Sequence, residues 1–126
     1  MLVLADTNIL LRRIHRAHPD HRLTRDAITY INERGDVFCV MAQNLVECWA
    51  ACTSPFDNNG LSLFIDQATK VLSRIESSVE RLSDADAVYA EWRNLVATYR
   101  ISGEHSHVAR LVAAMKIHGL TPILVT

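Results

Sequence analysis

Two short, continuously apolar segments constrain the fold of this chain more than any other feature. Leu2–Ala5 and Val37–Met41 contain no charged or strongly polar residue, which is typical of strands buried on both faces of a parallel sheet. Helical patterns at residues 9–14 and over His21–Glu33 lie between them. Because parallel strands need a crossover connection, this alternation predicts a three-layer α/β/α fold with a central parallel sheet and right-handed crossovers.

The remaining sequence continues the alternation. Asn44 is a candidate N-cap for a helix that ends before Pro55. Amphipathic spacing predicts three more helices and then a last strand, at residues 61–76, 83–99, 105–118 and 122–125. The last helix carries an apolar stripe expected in the core, formed by Val108, Leu111, Val112 and Met115. Four aromatic residues are expected in the core or in a dimer interface: Trp49, Tyr89, Trp92 and Tyr99.

Composition predicts a single globular domain over residues 1–126. Hydrophobic residues make up 49% of the chain and charged residues 21%, and the formal net charge is −1. This overall balance does not favour nucleic-acid binding, so any such case must be local. Cys39, Cys48 and Cys52 form no CxxC pair and are expected to be reduced core thiols in a cytoplasmic protein. The apolar start meets Asp6 too early for a signal peptide, and no membrane span is expected.

Two carboxylates follow the two apolar segments. Asp6 stands directly after the first, and Glu47 comes shortly after the second. If the strands are neighbours, both side chains would reach one crevice at the carboxyl edge of the sheet. Clustered carboxylates favour a hard divalent cation, here Mg²⁺ or Mn²⁺, which activates water and stabilises charge on a phosphodiester. Thr7 and Asn8 would support such a site.

The same two acids also fit ordinary helix capping. Asp6 would cap a helix that starts near Ile9, and Glu47 would be the back-reaching member of an Asn44-x-x-Glu47 capping box. On spacing alone, the capping interpretation is favoured over the metal site, because short patterns of this kind recur by chance.

The ordered set of motifs resembles a PIN domain, the fold of many VapC-type toxin ribonucleases. The similarity is carried by five segments, at residues 4–12 (LADTNILLR), 18–19 (HP), 43–49 (QNLVECW), 59–62 (NGLS) and 103–115. It is stronger toward a bacterial subfamily than toward a generic PIN domain. The resemblance implies a metal-dependent RNA endonuclease with three or four acids, often a homodimer, held in check by a small antitoxin. It implies that Asp6 and Glu47 are two of the metal-site acids and that Asn8 supports them.

The chain departs from that pattern at its last helix. The subfamily reads His-Asp-Ala-Arg-Leu-Val-Ala where residues 107–113 read His-Val-Ala-Arg-Leu-Val-Ala, so Val108 replaces the third acid. Relatives usually continue beyond the position of Thr126 with a further Asp motif and a strand, so a domain truncated at its C-terminus is expected. Glu104 is better explained as a capping or solvated residue than as a replacement. The resemblance therefore implies an impaired ribonuclease or, alternatively, a non-catalytic module that binds RNA or an antitoxin.

A local basic segment supplies the case for an anionic partner. Residues 12–25 contain a single acid, Asp20, among eight basic or histidine residues: Arg12, Arg13, His15, Arg16, His18, His21, Arg22 and Arg25. Such a segment would guide RNA or contact an acidic antitoxin, or it would be a solvated helix face. A zinc site on its histidines is disfavoured, because Pro19 breaks the helix that would align them.

Four residues are candidate substrate contacts under the resemblance: Arg12, Arg13, His107 and Arg110. His107 is equally well explained as a structural imidazole.

Overall fold

The structure is a computed structural model that describes residues 2–119 and 124–125. Its strands are β1 (Leu2–Ala5), β2 (Val37–Met41), β3 (Glu80–Leu82) and β4 (Leu124–Val125). Its helices are α1 (Thr7–Ile14), α2 (His21–Glu33), α3 (Ala42–Thr53), α4 (Ile65–Ser78), α5 (Asp86–Thr98) and α6 (His105–Ile117). A short 3₁₀ turn, Phe56–Asn58, lies between α3 and α4.

The four strands form one parallel sheet in the order β3-β2-β1-β4. The connections from β1 to β2 and from β2 to β3 step outward in one direction. The connection from β3 to β4 returns to the other side of β1. The direction of the strand order therefore reverses between β1 and β4, and in open α/β sheets the ligand crevice lies at such a reversal.

The alternation of side chains along the strands builds two core layers. Val3 and Phe38 pack on one face of the sheet with residues of α1, α3 and α4. Leu4 and Met41 pack on the other face with residues of α5 and α6. Both faces are thus covered by helices, as the continuous apolar runs require, and the predicted three-layer fold is confirmed.

Several element boundaries differ from the sequence predictions. The helix predicted over residues 61–76 begins at Ile65, because the N–H groups of residues 61–63 instead donate to carbonyls at the C-terminal end of α3. The helix predicted over 83–99 begins at Asp86. The strand Glu80–Leu82 was not predicted, since only Leu82 in it is both apolar and buried. Only 124–125 of the strand predicted at 122–125 falls within the described residues.

The core stripe predicted for α6 is partly wrong. Leu111 and Met115 are buried, but Val108 and Val112 are 38% and 37% exposed. The buried face of α6 is completed by small side chains instead, namely Ala109, Ala113 and Ala114. Alanine side chains contribute little to a hydrophobic periodicity, so the prediction placed the larger valines in the core instead. Tyr89 and Tyr99 are also exposed, whereas Trp49 and Trp92 pack against the two core layers.

The three cysteines are buried free thiols. Burial and the charge of Glu80 raise the pKa of Cys39, while the hydrogen bond between Cys48 and Cys52 raises the pKa of the first thiol and lowers that of the second. We expect alkylation at pH 8 to run at least about a hundredfold slower in the native protein than in denaturant, because the thiolate must be exposed by an opening event. Mass-spectrometric counting of carbamidomethyl groups over time measures this. Alkylation at the denatured rate would contradict the burial.

Across the part of the chain that the structure describes, no helix has the length and apolar character needed to cross a membrane.

Candidate functional site

The residues that end β1 and follow β2 meet at the carboxyl edge of the sheet. Asp6 directly follows β1, and α3 directly follows β2. Because β1 and β2 are adjacent and parallel, the starts of α1 and α3 lie side by side. Asp6 also borders the reversal in strand order between β1 and β4, the position at which open α/β sheets generally bind ligands.

Asp6 is the N-cap of α1. The side chain is partly buried, and its Oδ1 accepts a hydrogen bond of 2.7 Å from the N–H of Thr7. The predicted cap is therefore confirmed, with the helix starting at Thr7 instead of near Ile9. Among the described residues, none donates a hydrogen bond to the second oxygen, Oδ2. One carboxylate oxygen thus caps the helix, and the other is left for a ligand.

Glu47 does not cap a helix. It is the sixth residue of α3, and its Oε2 accepts a 2.7 Å hydrogen bond from the hydroxyl of Thr7. Its Oε1 accepts a 3.2 Å hydrogen bond from Nε2 of Gln43, one turn earlier. These contacts aim the carboxylate toward the start of α1, next to Asp6.

Asn44 takes the role that the capping-box interpretation gave to Glu47, so that interpretation is wrong. The N-cap of α3 is Met41, and its N–H donates to Oδ1 of Asn44 at 2.9 Å. The amide of Asn44 then donates to the Thr7 hydroxyl at 3.3 Å. Asn44 and Thr7 are buried, 2% and 8% exposed. A continuous chain of hydrogen bonds therefore runs from α3 through Thr7 to Glu47, and the sequence alone offered no signal for it beyond the presence of polar residues.

The donor set at this edge fits a single hard cation with few protein ligands. Mg²⁺ is commonly held by only one or two carboxylates, with waters and substrate phosphates completing its coordination. The carboxylates of Asp6 and Glu47, joined through Thr7, supply that minimum. Over residues 2–119 and 124–125, no group of three or more His, Cys, Asp or Glu side chains is placed to hold a metal.

Position 108 lies on α6, which covers the face of the sheet opposite to the one covered by α1 and α3. Leu111, one turn after Val108, packs in the same core layer as Leu4 and Met41, which lie at or next to the carboxyl ends of β1 and β2. Within the described residues, no hydrogen bond or ion pair joins Val108 or its neighbours in α6 to Asp6 or Glu47. The assignment of a third acid to this position therefore rests on the resemblance.

The candidate substrate contacts are not gathered in one place. Arg110 forms an ion pair with Asp84, which neutralises it, while His107 is exposed on α6. Arg12 is partly buried, and its carbonyl accepts a 2.8 Å hydrogen bond from Nδ1 of His21. Arg13 is exposed on the other side of α1.

Arg13 belongs to an open groove of about 690 Å³ between α1 and α4. Its rim carries four cations: Arg13, Arg16, Lys70 and Arg74. Its floor is apolar and includes Ile14, Leu63, Val71 and Ile75, which belong to or pack against the first core layer. No acidic residue is among the described residues that line it.

No protein-family model matches the chain, and no curated protein is significantly similar to it in sequence. Several solved structures share its fold, among them the following two. One is a chain in the crystal structure of VapBC2 from Rickettsia felis bound to a DNA fragment from its promoter, with a TM-score of 0.71, 13% identity, and coverage of 100% of this chain and 86% of that one. The other is VapC20 of Mycobacterium tuberculosis, described as a toxin that cleaves the sarcin-ricin loop, with a TM-score of 0.62, 18% identity, and coverage of 94% and 84%. At these identities the similarity establishes the PIN-like fold, and no more than the fold.

Proposed function

We propose that this chain is a VapC-like, metal-dependent endoribonuclease whose activity is impaired because Val108 stands in place of an acid. The observation that carries the proposal is the pairing of Asp6 and Glu47 through Thr7 at the carboxyl edge of two adjacent parallel strands. A fold shared with VapC20, described as a sarcin-ricin loop cleaving toxin, supports it.

In this proposal, Asp6 and Glu47 hold Mg²⁺ or Mn²⁺. The bound ion supplies a water of lowered pKa and a counter-charge for the phosphate. Thr7 and Gln43 hold the Glu47 carboxylate in one orientation through hydrogen bonds of 2.7 and 3.2 Å, which reduces the reorganisation needed on binding. Asn8 is exposed at the second position of α1, from which its amide can reach substrate.

The substrate and partner follow from charge. RNA is the proposed substrate, with Arg12 supplying the nearest cation to the carboxylate pair along α1. An antitoxin is the proposed partner of the α1–α4 groove, since an apolar floor with four cations on its rim suits an acidic amphipathic helix. A homodimer is part of the same proposal and would show as a sedimentation mass twice that of the chain.

Substitution of Asp6 separates metal binding from capping. Asparagine caps a helix about as well as aspartate, so Asp6→Asn should keep the stability of the protein and still lose Mn²⁺ binding and Mn²⁺-dependent RNA cleavage. Asp6→Ala should lose both functions and also about 1 kcal/mol of unfolding free energy. Calorimetric Mn²⁺ titration, cleavage of labelled single-stranded RNA and urea unfolding measure the three properties. Unchanged Mn²⁺ binding in Asp6→Asn would reduce Asp6 to a cap and overturn the metal site.

The second candidate is a non-catalytic module that binds RNA or an antitoxin. The two-carboxylate donor set favours it, because among the described residues no third ligand joins Asp6 and Glu47. RNA binding without cleavage at saturating Mn²⁺ would select this candidate over the ribonuclease.

A further inference from the structure

A small pocket opens one helical turn away from the carboxylate pair. Leu11 and Ala51 line it, and they lie four residues after Thr7 and Glu47, which are hydrogen-bonded to each other. The pocket therefore lies next to the candidate metal site, about one helix pitch of 5.4 Å further along α1 and α3. Its volume is about 180 Å³, which is large enough to admit one phosphate group.

Every polar side chain of the lining can donate a hydrogen bond. Arg12, His15 and His18 supply a guanidinium and two imidazoles, and Asn8 and Asn59 supply amides. None of the described residues that line the pocket is acidic. A guanidinium in such surroundings pairs with phosphate through two parallel hydrogen bonds.

The two imidazoles are placed by the backbone that follows α1. Two successive turns, closed by the N–H of His18 on the carbonyl of His15 and the N–H of His21 on the carbonyl of His18, bring the rings of His15 and His18 to 5.8 Å. The N–H of Asp20 donates to Nδ1 of His18 at 3.0 Å. Nδ1 is thus an acceptor, so the ring proton of neutral His18 lies on Nε2, which becomes a donor.

The opposite wall is equally well defined. Asn59 has a left-handed backbone, with φ of 60°, and the N–H of Leu61 donates to the carbonyl of Ala51 at 3.0 Å. His21 holds the other side by donating to the carbonyl of Arg12. The donors are therefore held on two anchored segments and do not need to be gathered on binding.

We infer that this pocket binds a phosphate of the RNA backbone next to the one at the Asp6–Glu47 site. The inference rests on the proposed function and adds to it a substrate subsite, with His15 and His18 as binding residues. RNA is favoured over an acidic protein segment because the pocket is small, donor-lined and adjacent to the carboxylate pair, whereas the α1–α4 groove has the apolar floor that a peptide helix needs.

Binding of a short labelled oligouridylate, measured by fluorescence anisotropy in EDTA so that no cleavage occurs, tests the inference. Arg12→Gln and His18→Gln should each weaken the Kd about tenfold. Arg12→Gln should also lower the slope of log K against log salt by about 0.7, the value for one phosphate contact on a single strand. The matched controls are Arg93→Gln and His105→Gln, exposed residues of α5 and α6 that do not line the pocket.

The outcomes separate the inference from the proposed function. If the unmodified chain binds RNA and the pocket variants match their controls, the pocket is not a phosphate subsite, although RNA binding stands. If the unmodified chain does not bind RNA at all, both fail. A polyglutamate peptide is the second probe, and pocket substitutions that weaken the peptide while leaving RNA binding unchanged would also overturn the inference. Arg12→Lys, which keeps the charge, should keep the salt slope and guards against a folding defect.

Discussion

Replacement of Val108 by aspartate is expected to tighten Mn²⁺ binding by about a hundredfold and to raise Mn²⁺-dependent RNA cleavage sharply. A carboxylate about 4 Å from a cation gains roughly 4 kcal/mol per unit charge at an effective dielectric constant of about 20. Part of this gain is lost on desolvation, and the remaining ~2.7 kcal/mol corresponds to a factor of about one hundred. The added carboxylate would act together with those of Asp6 and Glu47 in holding the cation.

The substitution should not unfold the protein. Val108 is 38% exposed and is the fourth residue of α6, where the positive end of the helix favours a carboxylate. Isothermal titration with Mn²⁺ on the unmodified chain and on Val108→Asp measures the effect directly. Mg²⁺ in place of Mn²⁺ should give the same direction.

Val112→Asp is the matched control for this experiment. Val112 lies one turn later on the same exposed side of α6 and is 37% exposed. The substitution Val112→Asp therefore adds the same charge to the same helix. A specific site predicts that only Val108→Asp tightens Mn²⁺ binding. Equal effects in the two variants would indicate nonspecific charge attraction, and no effect in either would remove position 108 from the metal site.

Gly60→Ala is expected to cost about 3 kcal/mol of unfolding free energy. Gly60 is buried, and a Cβ at this position would overlap the backbone carbonyl group of Ser54. The overlapping atoms are the carbonyl oxygen, the carbonyl carbon and the Cβ of Ser54, none of which a side-chain rotation can move. Urea denaturation monitored by tryptophan fluorescence gives the free energy.

The close approach at Gly60 has a structural purpose. The last carbonyls of α3 lack partners within the helix, and the segment that follows Gly60 provides them. The N–H of Leu61 donates to the carbonyl of Ala51, that of Ser62 to Ser54, and that of Leu63 to Cys52, at 2.9 to 3.0 Å. Moving the chain away to admit a methyl group would break these bonds as well as create strain.

Gly35→Ala separates steric overlap from backbone strain. Gly35 has a φ of +82°, but nothing lies within 4 Å of an added Cβ. Its substitution should therefore cost only the left-handed penalty of about 1 to 2 kcal/mol. A loss at Gly60 no larger than the loss at Gly35 would contradict the tight packing of this turn.

The sequence by itself determined the features that depend on short stretches of chain. Continuous apolar runs have a local meaning, so Leu2–Ala5 and Val37–Met41 were predicted with the bounds the structure shows. The same is true of His21–Glu33. The cap at Asp6 was also predicted, though for a helix starting near Ile9 instead of at Thr7, because capping joins a side chain to the next turn of backbone. The three-layer architecture then followed from the need of parallel strands for helical crossovers.

Tertiary structure alone decided the contacts between segments distant in sequence. Thr7 and Glu47 are 40 residues apart, and no local pattern states that the hydroxyl of one meets the carboxylate of the other. The pairing of Arg110 with Asp84 and the assembly of a donor-lined pocket from α1 and the turn at Asn59 are of the same kind. These contacts depend on which helix faces come together when the helices pack onto the sheet.

The surface helix α6 shows the physical limit most clearly. Its sequence presents Val108 and Val112 as core residues, yet the buried face is built on alanines. A hydrophobic pattern records the preference of each side chain for burial, while the packing distance between neighbouring helices and sheet selects by size. The sequence therefore determined that α6 exists and where it runs along the chain, and only packing in three dimensions decided which side of it faces solvent.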